Sequence, residues 1–280
     1  MAPAVQILSQ CLLVTFLVGG MLAAGLAITP RAILAPLRDL RLVATALVLN
    51  FVAAPALSWL LAEGLALQRP HAIGLMLLGG APGAPFLPML AAKARGDATA
   101  AVALMALLLL GTTLFLPLAL PWLLPGSEAD AWSIAQPLLT LIMAPMVLGI
   151  FFKSSAPNLA AQCQPIAAKL GHLSLGALFG LLVALNFRGL LSVLGSGALG
   201  AAALFVGGLF AIGYGLGGPR REIKAVLGLS CAARNVAVAQ GVAANSYRDP
   251  EITLMIVVCT VVILVLLSLA ARWLRGRPHP

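Results

Sequence analysis

Charge is what this 280-residue chain has least of: Asp, Glu, Lys and Arg make up 9% of it, against 61% apolar residues and a mean hydropathy of +1.06. A water-soluble domain carries about 25% charged residues, so a fully hydrated surface is excluded and the chain must be solvated by lipid. Aromatic residues are few, at 6%, and are not interleaved with the basic ones. There is no basic amphipathic helix either, so the net charge of +9 is read as topology information and not as a nucleic-acid surface. The four cysteines, Cys11, Cys163, Cys231 and Cys259, show no C-x-x-C spacing, which argues against a disulfide framework or a metal site. No Lys or Arg precedes the first apolar stretch, so residues 1–30 are expected to be a retained membrane helix and not a secretory signal.

Carboxylates are missing from the middle of every apolar run: all eight Asp and Glu fall in or beside connections. A carboxylate proton relay is therefore not expected. His71, His172 and His279 fall near run ends or in the tail, which leaves Ser230 and Cys231 without a base within hydrogen-bond reach and argues against an enzyme.

What the chain does have is long apolar windows. A helix needs about 20 such residues to cross the hydrocarbon core, and nine windows qualify: Ile7 to Ile28, Leu42 to Ala62, Ile73 to Ala92, Ala98 to Leu123, Ile134 to Phe152, Gly171 to Phe187, Gly197 to Leu216, Ala225 to Ser246 and Ile252 to Ala271. They lack the alternation of a membrane barrel. The expected fold is an all-α polytopic membrane protein in one domain, residues 1–280, with halves of about 1–130 and 131–280.

Alternating the connections puts thirteen basic residues on one side: Arg31, Arg38, Arg41, Lys93, Arg95, Lys153, Lys169, Arg220, Arg221, Lys224, Arg272, Arg275 and Arg277. The other side has Arg69, Arg188 and Arg248, with Glu128 and Asp130. The positive-inside rule then places the C-terminus in the cytoplasm and, for nine spans, the N-terminus outside. The expected location is the plasma membrane, the inner membrane if the chain is prokaryotic.

Two spans are poor continuous helices. The third contains Gly79-Gly80-Ala81-Pro82-Gly83-Ala84-Pro85-Phe86-Leu87-Pro88, three prolines and three glycines in ten residues, and each proline removes a donor and clashes with the preceding turn. Broken backbone at membrane depth is tolerated only inside protein or beside a watery cavity. The eighth holds Arg234, the one ionised residue in the middle of any span, which is a functional candidate by default. Two readings stay open for it: a binder of an anionic group, or a staple for the third-span break through carbonyl contacts. Interruptions at matching places in two halves are the sequence pointer to an inverted-repeat transporter with its site near the midplane.

These residues also carry a resemblance. Gly19-Gly-Met-Leu-Ala-Ala-Gly-Leu, Asn50-Phe-Val-Ala-Ala-Pro55, Ala81-Pro82-Gly83 with Ala94-Arg95-Gly96-Asp97, and Arg234-Asn235-Val-Ala-Val-Ala resemble the bile acid:sodium symporter family. The resemblance implies a panel and a core domain, two crossing discontinuous helices, alternating access, and small organic anions as substrates. The departures fall on the positions that hold sodium in the family. Leu87 and Pro88 stand for Ser-Asn, Ser230 for Glu, Arg234 for Gln and Asn50 for Gln, while Ala101, Met105 and Leu108 replace hydroxyls.

The expected function is therefore secondary transport of organic anions without sodium, Arg234 serving as a fixed cation that binds the anionic group. Asn235, Asn50, Ser230, Pro82, Gly83, Ala84 and Pro85 are the other candidate substrate-binding residues. No cofactor is expected, and the partners are the substrate anion and the bilayer, not nucleic acid. The alternatives are ordinary sodium symport through unseen carbonyls and a non-transporting membrane receptor. Asn186 and Gln240 are polar at depth and read as helix bridges, Thr112 and Thr113 as back-bonding to their own helix, and the glycines at 195–200 and 207–208 as close helix packing.

Overall fold

The structure is a computed structural model describing residues 3–27, 29, 36, 38–123, 132, 136, 138–185, 197–247 and 249–276. Arg31, Glu128, Asp130, Asn186, Arg188, Gly195, Arg248, Arg277 and His279 lie outside these residues. Among the described residues every regular element is helical, in the order α1 Pro3–Ala27, α2 Leu40–Val48, a π-helical turn Leu49–Ala53, α3 Ala54–Gly64, α4 Arg69–Gly79, α5 Leu87–Lys93, α6 Ala98–Leu123, a second π-helical turn Leu138–Met143, α7 Ala144–Ser155, α8 Pro157–Leu185, α9 Ala198–Leu216, α10 Arg221–Ala232, α11 Val236–Ser246 and α12 Pro250–Gly276. Seven helical segments are long and apolar enough to cross a membrane, the α10–α11 pair counting as one of them. The fifth expected window falls on the shorter apolar helix Leu139–Ser155 and the third on the interrupted pair α4 and α5, neither of which reaches that length.

Local chemistry explains many of the ends. Asp39 and Asp97 cap α2 and α6 by accepting from Leu42 N at 3.1 Å and Ala100 N at 2.9 Å, which satisfies amides a helix start leaves free. Pro55 and Pro145 sit just inside α3 and α7. Each follows a π-helical turn, and a proline removes the donor that would have closed a regular α turn there.

The helices pack in two groups. In the first, α1 lies against α7 and α8 through small residues. A Cβ on Gly25 would collide with the Met146 carbonyl and with Gly149, and one on Gly171 would lie 3.0 Å from Gly20 N. Backbones can approach this closely in lipid only where side chains are absent. In the second group, α2–α6 and α9–α12, the contacts of the first half repeat in the second. The α3–α4 packing recurs as α9–α10, α5–α6 as α11–α12, and α4–α12 as α10–α6. At one end of this group His71 Nε2 lies 3.2 Å from Glu251 Oε2, joining the starts of α4 and α12.

Two expectations are corrected. The sixth span begins at Pro157 and not near Gly171, so Lys169 lies on α8, exposed, instead of in a connection. Gln162, Gln164 and Lys169 lowered the local hydropathy, but at 29 residues and 1.5 Å per residue the helix outruns the hydrocarbon core and carries them at its first half. Among the described residues the glycines expected to pack helices closely do not: Gly200 and Gly207 face open space, Gly197 meets only Leu67 at 3.9 Å, and Gly208 meets only Leu57 at 3.4 Å. The tight crossing of α9 with α10 uses Gly213 and Gly228 instead, where an added Cβ would lie 2.9 Å from Cys231 Sγ and 3.1 Å from the Phe210 carbonyl.

Candidate functional site

The two breaks meet. Residues 80–86 separate α4 from α5 and residues 233–235 separate α10 from α11, and the Asn235 amide donates to the Ala81 carbonyl at 2.8 Å. The first break is set by its prolines and by Gly83. At φ +85° Gly83 is left-handed, and a Cβ there would lie 2.8 Å from Leu109 N of α6, so both the conformation and the space require glycine.

Arg234 occupies the centre. It is 0% exposed, and its guanidinium makes four hydrogen bonds, all to protein oxygens. Nε donates to the Leu78 carbonyl at 2.9 Å, Nη1 to Asn50 Oδ1 at 2.7 Å and to the Cys231 carbonyl at 3.2 Å, and Nη2 to the Gly79 carbonyl. Leu78 and Gly79 are the last residues of α4, and Cys231 lies in the last turn of α10. The last carbonyls of a helix have no intrahelical donor and carry the negative end of its dipole. One guanidinium therefore caps both half-helices. With five N–H donors on the group, one is left beyond these four bonds.

Asn235 completes the joint. Its Oδ1 caps α11 by accepting from Val238 N at 3.2 Å, and its Nδ2 donates to the Gly83 carbonyl at 3.3 Å. Asn50 sits in the first π-helical turn and its Nδ2 donates to the Ala46 carbonyl at 2.9 Å and to Cys231 Sγ at 3.6 Å. Thr112 does back-bond to its own helix at Leu108, and it also donates to the Pro82 carbonyl at 3.0 Å; Thr113 bonds only its own helix, at Leu109. Ser230 is buried beside this cluster, but its hydroxyl donates to Leu227 of the same helix at 2.9 Å.

Of the candidate residues, then, Arg234, Asn235, Asn50, Pro82 and Gly83 converge, Ser230 turns back on its helix, Ala84 is buried in the break, and Pro85 lines open space. Among the described residues, that space is a crevice between the helix groups, and a second lies beside it. One, of about 210 Å³, is bounded by α1, α8, α6 and residues 85–89, and Gln164 and His172 are its polar side chains. The other, of about 230 Å³, lies between α1, α8, α11 and α12 and presents Gln6, Ser9, Gln10, Gln240 and Thr260. Phe16 lines both. Among the described residues, neither is lined by Lys, Arg, Asp or Glu. Gln240, read from the sequence as a helix bridge, donates weakly to the Thr253 carbonyl at 3.5 Å and lines the second crevice. Gln6, Gln10, Gln164 and His172 were not singled out by the sequence as crevice residues. Their only signal was amide and imidazole groups toward the ends of apolar runs, which is where innocuous polar residues also sit.

A helical membrane protein whose two broken helices cross in mirrored surroundings, sealed by a buried cation and flanked by two crevices, has the architecture of an inverted-repeat transporter. Residues 14–194 match the family described as the Sodium Bile acid symporter family, and the chain belongs to that family. The match takes in the first break and ends before the second. No curated protein matches the chain.

Proposed function

We propose that the protein is a secondary active transporter of small organic anions, working by alternating access, in which Arg234 is a built-in cation that replaces coupling sodium. The observation that carries this reading is the pair of helix C-termini closed on one guanidinium. Each terminus carries roughly half a negative charge, so the two together attract about one positive charge, which Arg234 supplies permanently. The cost of placing an arginine at membrane depth, at least roughly 2.5 to 3.5 kcal/mol, is offset by hydrogen bonds to a charged donor worth about 1.5 to 3 kcal/mol each.

Sodium fits this setting poorly. The Leu78 and Gly79 carbonyls are engaged by Arg234. Leu87, Ala101, Met105 and Leu108, where the resemblance leads one to expect side-chain oxygens, are fully buried hydrocarbon or thioether groups. A sodium ion 4 Å from the guanidinium would meet a repulsion of about 4 kcal/mol at an effective dielectric of about 20.

Among the described residues, an anion entering either crevice meets no carboxylate. In the second crevice it meets Val236 and Ala237 at the amino end of α11, a partly positive helix end. The mostly apolar crevice walls suit an organic body larger than an inorganic ion. The charge asymmetry supports a cytoplasmic C-terminus and an outer N-terminus.

The deciding experiment follows thermal unfolding of the detergent-purified protein with a panel of organic anions, in sodium and in choline, for wild type, Arg234→Gln and Arg234→Lys. Stabilisation of wild type by an anion in choline is expected, since a ligand of the folded state stabilises it by mass action. Arg234→Gln should lose that response. If wild type is stabilised by sodium, or binds anions only in sodium, the built-in-cation reading is wrong whatever the variants do. Flux of the stabilising anion in proteoliposomes then separates a transporter from a receptor.

A further inference from the structure

A cavity of about 200 Å³ opens where α2 and α10 begin, on the face that the charge asymmetry assigns to the cytoplasm. Its walls include Arg41, Leu42 and Thr45 from the α2 side and Arg220, Ile223 and Leu227 from the α10 side. The lining changes with depth: the two arginines stand at the helix starts, and the apolar side chains follow one to two turns further in. Among the described residues Asp39 is the one carboxylate in the wall, and both of its oxygens are engaged. Oδ1 accepts from Leu42 N at 3.1 Å, and Oδ2 from Arg220 Nη2 at 3.1 Å.

Arg220 thus has its counter-charge, whereas Arg41 has no ion pair or hydrogen bond among the described residues. Of the basic groups nearby, Arg38 is exposed and outside the cavity wall, and two others are committed elsewhere. Lys224 Nζ lies 5.1 Å from the centre of the Tyr214 ring, and Arg221 donates to the Leu274 carbonyl of α12. The cavity therefore presents one uncompensated guanidinium above an apolar floor. Guanidinium groups bind phosphate oxygens through short charge-assisted hydrogen bonds, and basic pockets between helices at the cytoplasmic surface suit anionic lipid headgroups.

We propose that this cavity binds the phosphate of an anionic phospholipid, with Arg41 and the outer edge of Arg220 donating to its oxygens and Ile223 and Leu227 receiving the start of its acyl region. Phosphate is the shared chemistry of a lipid headgroup and of free inorganic phosphate; the graded wall favours the lipid. The occupant bridges the starts of two helices that both run to the crossover, α2 toward Asn50 and α10 toward Arg234. Binding here holds that joint together independently of any transported anion.

The test measures the melting temperature of the full-length protein in detergent against added short-chain phosphatidylglycerol, short-chain phosphatidylcholine and inorganic phosphate. It uses wild type, Arg41→Gln, Arg41→Lys and, as a distant exposed control, Arg272→Gln. Phosphatidylglycerol is expected to raise the melting temperature of wild type and Arg272→Gln at concentrations where phosphatidylcholine does not. Arg41→Gln should need roughly tenfold more lipid for the same shift, the loss of about 1.4 kcal/mol of binding, and Arg41→Lys should fall between. An equal response of Arg41→Gln and wild type overturns the site. A response of wild type to inorganic phosphate as large as to phosphatidylglycerol overturns the lipid assignment. Arg41 is exposed at a helix start, and a basal melting temperature equal to that of wild type verifies that each variant is folded.

Discussion

The two breaks that cross at the centre are made in opposite ways. The first spans residues 80–86 and is broken by its own covalent chemistry, prolines without amides and a left-handed glycine. The second is three residues long, Ala233 to Asn235, with no proline or glycine, and is opened by the side chains it points at the first. One break supplies carbonyls without donors; the other supplies donors. Asn235 N to Ala81, Asn235 Nδ2 to Gly83, and the Arg234 guanidinium to Leu78 and Gly79 satisfy the first break almost residue by residue. Neither would be tolerated at membrane depth alone. The pair is a single structural unit, and its charge is positive.

The sharpest way to break this comparison is to remove the donor centre. Arg234→Met is expected to leave the Gly79 and Cys231 carbonyls and Asn50 Oδ1 without a donor, at about 1 to 3 kcal/mol for each buried group left unsatisfied, and the Leu78 carbonyl with the Ala81 amide at 3.2 Å alone. The total loss should reach roughly 4 kcal/mol or more, read as a large fall in melting temperature or loss of monodisperse protein. Arg234→Lys, which keeps the charge but not the fork, should recover part of it. A stable Arg234→Met protein would mean that the carbonyls find other partners and that the breaks do not depend on one another.

Next in size is glycine. Gly83→Ala places a Cβ in the left-handed region, roughly 1 to 2 kcal/mol for an ordinary residue, and against the α6 backbone 2.8 Å away, so a loss of several kcal/mol is expected. Gly241→Ala, on α11 with nothing within 4 Å of the new Cβ, should be neutral or stabilise by up to about 1 kcal/mol. Equal effects of the two would remove the claim that only the first break is held by backbone conformation. Asn235→Ala follows, at about 1 to 2 kcal/mol, since it deletes an N-cap and the bond to Gly83 together.

This contrast also explains what could be read from the sequence. The first break was legible because proline and glycine act locally, and the second because an arginine at membrane depth demands partners. What Arg234 touches was not legible. The choice between binding a ligand and capping carbonyls depends on where Leu78 and Gly79 lie, more than 150 positions away in sequence. The start of α8 was misplaced because Gln162, Gln164 and Lys169 resemble a connection when only hydropathy is weighed. The crevice amides were missed because Gln6, Gln10 and Gln164 acquire meaning only when α1 and α8 face the broken helices across open space. Gly197, Gly200, Gly207 and Gly208 misled for a related reason: glycine permits close approach, and only the packing partner decides whether it is used.

The smallest effect gives the most specific test, because it compares two adjacent hydroxyls with the same chemistry. Thr112 and Thr113 each donate to the carbonyl four residues back, at 2.8 and 3.0 Å, but Thr112 alone also reaches the Pro82 carbonyl. Pro82 lies in the break and cannot donate in return, so Thr112 fastens the middle of that break to α6. Substitution by Val keeps the shape and removes the hydroxyl, leaving one buried carbonyl short of a partner at about 1 kcal/mol. Thr113→Val, which removes only a back-bond within a helix whose carbonyl is already paired, should cost a few tenths of that. Thermal unfolding of the two single variants and the double variant measures the difference directly. A larger loss for Thr112→Val than for Thr113→Val, additive in the double variant, fits a brace acting on the break alone. Equal losses would mean that the break is held by Arg234 and Asn235 without α6, and that the crossover can shift against that helix.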